Sequence, residues 1–289
     1  MDYTLNVNGR LLSLQQPQVM GILNVTPDSF FEGSRKQTER EIAERAQQIV
    51  REGGAIIDVG GFSTRPGASI VSAEEEMERL RNALTIIRRE VADVVISVDT
   101  YRPEVARMVV EEFGAAIIND VSEGGITGIA GQPLEDERGD VPRMFSEVAR
   151  LGVAYVLMSV QPTIQPMLQA LSQEVDLLHS LGQKDIIIDP GFGFGKTLEQ
   201  NYLLMDQLEM LHALQLPLLV GISRKSMIYR LLKTDPTRAL NGTTVLNTAA
   251  LLKGAHILRV HDVAEAAECI SIVQSIHIHR SFQSTQDYV

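Results

Sequence analysis

Short, near-continuous apolar runs recur along the chain with helix-length segments between them, and this rhythm predicts the architecture. Residues 19–25, 55–59, 94–98, 115–118, 155–158, 186–188, 218–222 and 257–260 are rich in β-branched and aliphatic side chains. Such runs read as strands buried on both faces of a parallel sheet. Between them, residues 38–51 place Ile42, Ala46, Ile49 and Val50 on one helical side, and a second helix is expected over about 73–91. Pro103 stands early in the next helix, where its missing N–H does no harm. Ahead of the series, Tyr3-Thr4-Leu5-Asn6-Val7 and Asn8-Gly9 predict a small hairpin within residues 1–17.

Eight strand-and-helix units in series call for a parallel sheet with helices outside it. The expected fold is a single-domain (β/α)8 TIM barrel over residues 1–289. A doubly wound open sheet would bring a Gly-x-Gly-x-x-Gly turn after its first strand, but that turn is Thr26-Pro27-Asp28 here. Residues 123–142 are glycine-rich, then acidic at Glu135-Asp136-Glu137, and carry no apolar period. Because the strand rhythm resumes unchanged afterwards, they read as a surface insertion.

Composition narrows the function classes. A chain of 289 residues with 44% hydrophobic content can bury a large core. The net charge of −11 argues against nucleic acid as the main partner, so any anionic ligand must be met by a local cationic cluster. No run approaches the roughly 18 apolar residues of a membrane span, and the first 18 residues lack a basic segment followed by an apolar one. The single cysteine, Cys269, rules out an internal disulfide and reads as core, so a cytoplasmic protein is expected. His277 and His279, two residues apart, suit neither one helical face nor a strong metal site.

Barrel strands all end on one face, so polar residues at those ends converge although they are scattered in sequence. They are Asn24, Thr64 with Arg65, Asp99, Asn119, Asp189, Lys225 with Ser226, and Arg259 with His261. One such residue alone would read as a cap or a turn. A set at nearly every strand reads as a site. Asp99, Asn119, Asp189 and Lys225 suit the edge of a planar, nitrogen-rich ring, whose donors want carboxylates and whose carbonyl wants an ammonium. Arg65, Arg259 and His261, with a helix starting at Ser223-Arg224-Lys225-Ser226, form the expected cationic group. The stretch Asp189-Pro190-Gly191-Phe192-Gly193-Phe194-Gly195-Lys196 puts one of these carboxylates where a buried strand empties into a tight glycine loop.

Longer motifs carry a family resemblance. They are Met20 to Phe30, Asp58-Val59-Gly60-Gly61 with Ser63-Thr64-Arg65-Pro66-Gly67-Ala68, Asn119-Asp120-Val121-Ser122, Asp189 to Lys196, Ser223 to Ser226 and Arg259-Val260-His261-Asp262. From about residue 18 to 275 the chain resembles the dihydropteroate synthase family of pterin-binding enzymes. The resemblance implies a transferase that condenses 6-hydroxymethyl-7,8-dihydropterin diphosphate with p-aminobenzoate, giving 7,8-dihydropteroate and diphosphate in folate synthesis. Sulfonamides would act as p-aminobenzoate mimics, and a homodimer is implied through late helices, here residues 244–252 and 263–273. It also implies that Asp99, Asn119, Asp189 and Lys225 hold the pterin, with Asp99, Asp189 and Lys225 catalytic. Asn24 would ligate Mg²⁺, with Thr64, Arg65, Arg259 and His261 around the diphosphate. The p-aminobenzoate would lie by Thr64, Pro66 and Phe194, its carboxylate at Ser226. Two positions depart from the family pattern: Phe62 replaces a common glutamate, and Met158-Ser159-Val160 replaces Met-His-Met. The competing readings are a pterin-dependent methyltransferase and a non-catalytic pterin-binding regulator.

Overall fold

The computed structural model describes residues 2–25, 35–62, 71–126 and 141–286, apart from the side chains of 35–37 and 277–286. The chain opens with an antiparallel hairpin of β1 (Thr4–Val7) and β2 (Arg10–Ser13). Eight further strands then alternate with helices. They are β3 (Gln18–Asn24), β4 (Ile56–Gly60), β5 (Val95–Asp99), β6 (Ile117–Asp120), β7 (Ala154–Met158), β8 (Ile186–Asp189), β9 (Leu219–Val220) and β10 (Ile257–Val260). Their order in the sheet is β8-β7-β6-β5-β4-β3-β10-β9, and every pairing is parallel. A bridge between Ile188 and Leu218, with the Ile188 amide donating to the Pro217 carbonyl at 2.9 Å, joins β8 to the start of β9. The sheet thereby comes round to a nearly closed barrel.

The helices are α1 (Arg35–Arg51), α2 (Ala73–Glu90), α3 (Pro103–Phe113), α4 (Arg143–Leu151), α5 (Ile164–Ser180), α6 (Leu198–Asp206), α7 (Ser226–Leu231), α8 (Leu240–Leu252) and α9 (Val263–Gln286). Local sequence explains their ends. The Ser72 side chain accepts from the Glu75 amide to start α2, whose first turn is acidic and last turn basic, as the helix dipole favours. Pro103 opens α3 as expected, and Gly114 in the left-handed region closes it.

The pleat decides what each strand residue meets. Ile57, Val59, Ile96, Val98, Ile118, Tyr155, Leu157, Ile186, Ile188, Leu258 and Val260 pack outward against the helices. Their alternates Met20, Ile56, Ile117, Ala154, Val156, Ile187, Leu219 and Ile257 form a separate apolar layer together with Leu5, Val7 and Leu14 of the amino-terminal segment. That segment therefore plugs the end of the barrel where the strands begin.

Three expectations are adjusted. The strand expected over 218–222 has only two ladder residues, Leu219 and Val220, and the amides of His256 and Ile257 both reach the Leu218 carbonyl just before them. The strands ending at Asp99 and Asp120 include those polar residues instead of stopping before them. The segment read as a surface insertion begins in the interior: Glu123, Gly124 and Gly125 are buried in a short 3-10 turn, while 127–140 lie outside the described residues.

Candidate active site

The polar positions of the barrel interior follow the same alternation as its apolar layer, one pleat further on. Asp58, Asn119, Asp189 and Arg259 stand two residues beyond Ile56, Ile117, Ile187 and Ile257. They gather where the strands end. Arg259 Nε donates to Asp58 Oδ2 at 2.6 Å and its second nitrogen to Asp99 Oδ2 at 2.9 Å. Asn119 Nδ2 reaches Asp58 Oδ2 at 3.1 Å, and the Ser97 hydroxyl donates to Asp58 Oδ1 at 2.6 Å. Among the described residues, two acceptors in this group, Asp99 Oδ1 and Asn119 Oδ1, are buried without a partner. A buried acceptor left unmatched costs about 1–3 kcal/mol, so these two oxygens mark a place for donors supplied from outside the chain.

The electrostatics follow from burial. Desolvation pushes Asp99 up to about 7, opposed by Arg259 and assisted by Asp58 and Glu76. Asp189 is also raised by desolvation, against the pull of Lys225. Lys225 is lowered to about 8 by desolvation, again opposed by Asp189. Its ammonium lies 4.7 Å from the centre of the Phe194 ring and donates to the Phe192 carbonyl at 2.5 Å. The floor is therefore a mixture of carboxylates and cations, partly withdrawn from solvent. Small environmental changes move its protons near neutral pH.

The loop after β8 is fixed by two devices. Asp189 Oδ1 accepts the Gly191 amide at 2.8 Å, and Gly191 has φ +64° with its Cα hydrogen facing the Ser159 carbonyl, where a Cβ would approach to 2.2 Å. Lys196 then gives its ammonium to the carbonyls of Gly191, Ser159 and Phe194 at 3.0, 3.2 and 3.2 Å, which ties this loop to the end of β7. Ser159, at one of the family departures, is fully buried and contributes its backbone carbonyl to the clamp. Phe62, at the other, packs edge-on against Tyr101 at 5.1 Å, and Arg102 lies over the same Tyr101 ring. Arg79 and Arg102 hold the carbonyls of Gly61 and Val71, which stand on either side of residues 63–70 in the chain.

The structure thus brings together Asp99, Asn119, Asp189, Lys225, Phe194 and Arg259. Asn24 is exposed at the end of β3 beside Gly60, and Ser226 is half-buried at the first position of α7. Thr64, Arg65 and Pro66 lie outside the described residues, as does the turn Thr26 to Ser29. The expected cationic group is altered in two ways. Arg259 is already paired with two carboxylates, and His261 is lowered to about 4, chiefly by desolvation and then by Arg259, so it is neutral at pH 7. The Ser223 hydroxyl accepts the His261 amide at 3.1 Å and lies 3.0 Å from Nδ1. Giving its own proton to Nδ1 leaves the imidazole proton on Nε2, a neutral donor. Arg224 is likewise structural: it pairs with Asp262 at 2.8 and 2.9 Å.

Comparison with known proteins is consistent with this pocket. The family model described as pterin binding enzyme matches residues 20–261. The dihydropteroate synthase of Escherichia coli strain K12 is 39% identical over 282 residues, covering 92% of this chain and 94% of that protein. The chain belongs to the dihydropteroate synthase family of pterin binding enzymes. A solved dihydropteroate synthase of Xanthomonas albilineans with 4-aminobenzoic acid superposes with a TM-score of 0.81 at 35% identity, covering 96% of this chain and 99% of that one. The Yersinia pestis enzyme in complex with a sulfonamide drug gives a TM-score of 0.81 at 34% identity, covering 96% and 100%.

Asp58, Lys196 and Arg79 hold this arrangement together through hydrogen bonds; the first two stand in the sequence motifs without an assigned role, and Arg79 is not singled out there. Asp58 had a signal: it is a charged residue inside the apolar run Ile56-Ile57-Asp58-Val59. Lys196 had none beyond its place at the end of a glycine loop. Among the described residues, no cluster of three or more His, Cys, Asp or Glu side chains forms a metal cage.

Proposed function

We infer that this protein is a transferase that condenses 6-hydroxymethyl-7,8-dihydropterin diphosphate with p-aminobenzoate, giving 7,8-dihydropteroate and diphosphate. The observation that carries the reading is the pair of buried, unpartnered acceptors Asp99 Oδ1 and Asn119 Oδ1 beside Asp189 and Lys225. A pterin edge presents ring N–H and amino donors next to a carbonyl oxygen. Carboxylates and an amide oxygen match the donors, and an ammonium matches the carbonyl. Family membership and the named activity of the relatives support the same reaction.

The chemistry needs no strong base. If diphosphate departs first with the C–O bonding pair, the pterin methylene becomes electron-poor, and Asp99 and Asp189 stabilise positive charge that grows only toward the transition state; the arylamine nitrogen then bonds to the methylene and releases one proton to solvent or to the departing diphosphate. Lys225 orients the ring through its carbonyl. His261, neutral with its proton on Nε2, donates a hydrogen bond to the departing group without having to lose a charge first. Ser226, at the start of α7, receives the carboxylate of p-aminobenzoate, and Phe194 covers the aromatic ring. Sulfonamides share that aromatic amine shape and would occupy the same place.

The donor set fits Mg²⁺ in its usual mode. This ion keeps several waters and takes one or two protein oxygens plus substrate phosphates. Asn24 is exposed at the rim with one hard amide oxygen, and no carboxylate cage surrounds it among the described residues. Asn24 would hold the ion, whose contribution is to neutralise charge on the diphosphate.

A homodimer is part of the proposal. Val245 and Leu252 of α8 and Ile272 and Ile276 of α9 are each more than half exposed, on two helices that pack together. A cytoplasmic location fits the single buried cysteine. Among the described residues, no helix is long and apolar enough to cross a membrane.

The deciding experiment is turnover. With Mg²⁺, the purified protein should release diphosphate only when pterin diphosphate and p-aminobenzoate are both present. No release, or transfer from a methyl donor instead, would remove the proposal. Sedimentation at micromolar concentration tests the dimer, and a monomer there would refute it.

A further inference from the structure

Asp58 is fully buried and belongs to none of the groups assigned above to a substrate, yet it is the point where the ring site is joined together. Its carboxylate accepts three hydrogen bonds from three other strands. Ser97 on β5 gives its hydroxyl to Oδ1 at 2.6 Å. Asn119 on β6 gives Nδ2 to Oδ2 at 3.1 Å, and Arg259 on β10 gives Nε to the same oxygen at 2.6 Å.

The Asn119 contact has a consequence for recognition. A primary amide has a donor end and an acceptor end of nearly the same shape, and the end shown to a ligand is decided by what the other end meets. Beside the Arg259 guanidinium, the Asp58 carboxylate only accepts. The NH2 end of Asn119 must therefore turn to Asp58, and Oδ1 takes the opposite branch. Among the described residues, that oxygen is buried without a hydrogen-bond partner. Ser97 and Arg259 stop the carboxylate from rotating, so the choice is held from both sides.

We propose that Asp58 is a positioning residue that holds the Asn119 amide with its carbonyl oxygen toward the ring pocket, so that the site selects a ring presenting an N–H at that point. The proposal rests on the reading in which Asn119 lies against the pterin. It differs from a simple counter-ion role for Arg259, because a counter-ion would act whether or not Asn119 were present.

The test is a double-mutant cycle read by calorimetric titration with pterin itself. Asp58→Asn gives the amide of Asn119 a group that can both donate and accept, so its orientation is no longer fixed. Asp58→Asn and Asn119→Ala should each weaken pterin binding by roughly 5- to 150-fold. The double variant should lose no more than about threefold beyond Asn119→Ala alone. In steady-state assays, Asp58→Asn should raise KM for the pterin diphosphate while KM for p-aminobenzoate stays within about threefold. Losses that multiply in the double variant, or both KM values rising together, would overturn the proposal while leaving the pterin reading intact. A wild-type protein that does not bind pterin would overturn the pterin reading and the proposal with it. If Asp58→Asn does not fold, Ser97→Ala takes its place, removing one support of the carboxylate. It should weaken pterin binding about threefold with Asn119 present and not at all in the Asn119→Ala background. An equal effect in both backgrounds would also overturn the proposal.

Discussion

The two ends of the barrel are built from the same strands and have opposite interiors. Where the strands begin, Met20, Ile56, Ile117, Ile187, Leu219 and Ile257 close an apolar layer with Leu5, Val7 and Leu14. One pleat later the same inward positions hold Asp58, Asn119, Asp189 and Arg259. The first layer gains from burial at about 25 cal/mol per Å² of apolar surface. The second pays desolvation for buried charges, seen in an Asp99 pushed up to about 7 and a Lys225 lowered to about 8. A fold tolerates that cost only where the charges serve something else. The contrast therefore predicts that stability and chemistry can be lost separately.

The largest separation is expected at Lys225. Lys225→Met keeps most of the stem that lies against Gly193 and removes the ammonium that lies over Phe194. Losing a preorganised charge at the reacting ring should lower kcat/KM by about 10²- to 10³-fold. The thermal midpoint should change by less than about 3 °C, because the buried ammonium was not stabilising the fold. A variant that is both inactive and much less stable would mean the mouth is structural after all.

The mirror experiment is at the plug. Leu5 is 1% exposed within the apolar layer, and Leu5→Ala leaves a cavity costing about 2–5 kcal/mol. The midpoint should fall by roughly 5–15 °C on that range. Folded variant at low temperature should keep kcat/KM within about threefold. A tenfold loss would show that the two ends are coupled.

This division was partly legible in the sequence. Asn24, Asp99, Asn119, Asp189, Arg259 and His261 all share the inward parity of their strands, so a list of strand-end polar residues caught them. Asp58 was missed because it sits two residues before the end of β4, where a strand reading expects core. The charge of His261 was misread for a reason that sequence does not contain: its burial between Arg259, Arg45 and Arg224 is a property of the closed barrel. Lys196 is similar. Three carbonyls converge on it only after β7 and β8 lie side by side. Thr64 and Arg65 belong to the same strand-end list, in the long loop after β4, whereas Pro66 as a p-aminobenzoate contact comes from the family motif alone.

A third test uses protons to report on the mouth. The folded protein keeps the Asp99 proton up to about pH 7, whereas an unfolded aspartate releases it near 3.8. Raising pH through that window therefore destabilises the folded state, by up to about 1.4 kcal/mol per unit while the proton difference is complete. Asp99→Asn has no such proton. Urea unfolding of both proteins between pH 4 and 7 should show the wild type losing ground steadily to the variant as pH rises. Parallel curves would mean that Asp99 is already ionised beside Arg259, and that the mouth is less desolvated than its burial indicates.

The smallest effect is expected on the wall, which serves neither end. Glu147 on α4 is held by Arg107 of α3 through two 2.9 Å bonds and by Arg150 at 2.7 and 3.2 Å, while Arg150 also reaches Glu111 of α3 at 2.9 Å. These bonds, Arg107 first, hold Glu147 down to about 2. A depressed carboxylate stabilises the fold above its unfolded value of 4.5 and loses that contribution as pH falls toward 2. Yet both arginines are about half exposed, so solvent screens the pair and side-chain freedom opposes it. Arg107→Ala should lower the thermal midpoint at pH 7 by no more than about 3 °C. The difference from wild type should shrink in 1 M salt and again below pH 4.5, with kcat/KM unchanged within error. A drop of 10 °C would make this wall network a structural element on the scale of the plug, and a tenfold loss of activity would tie α3 and α4 to the mouth.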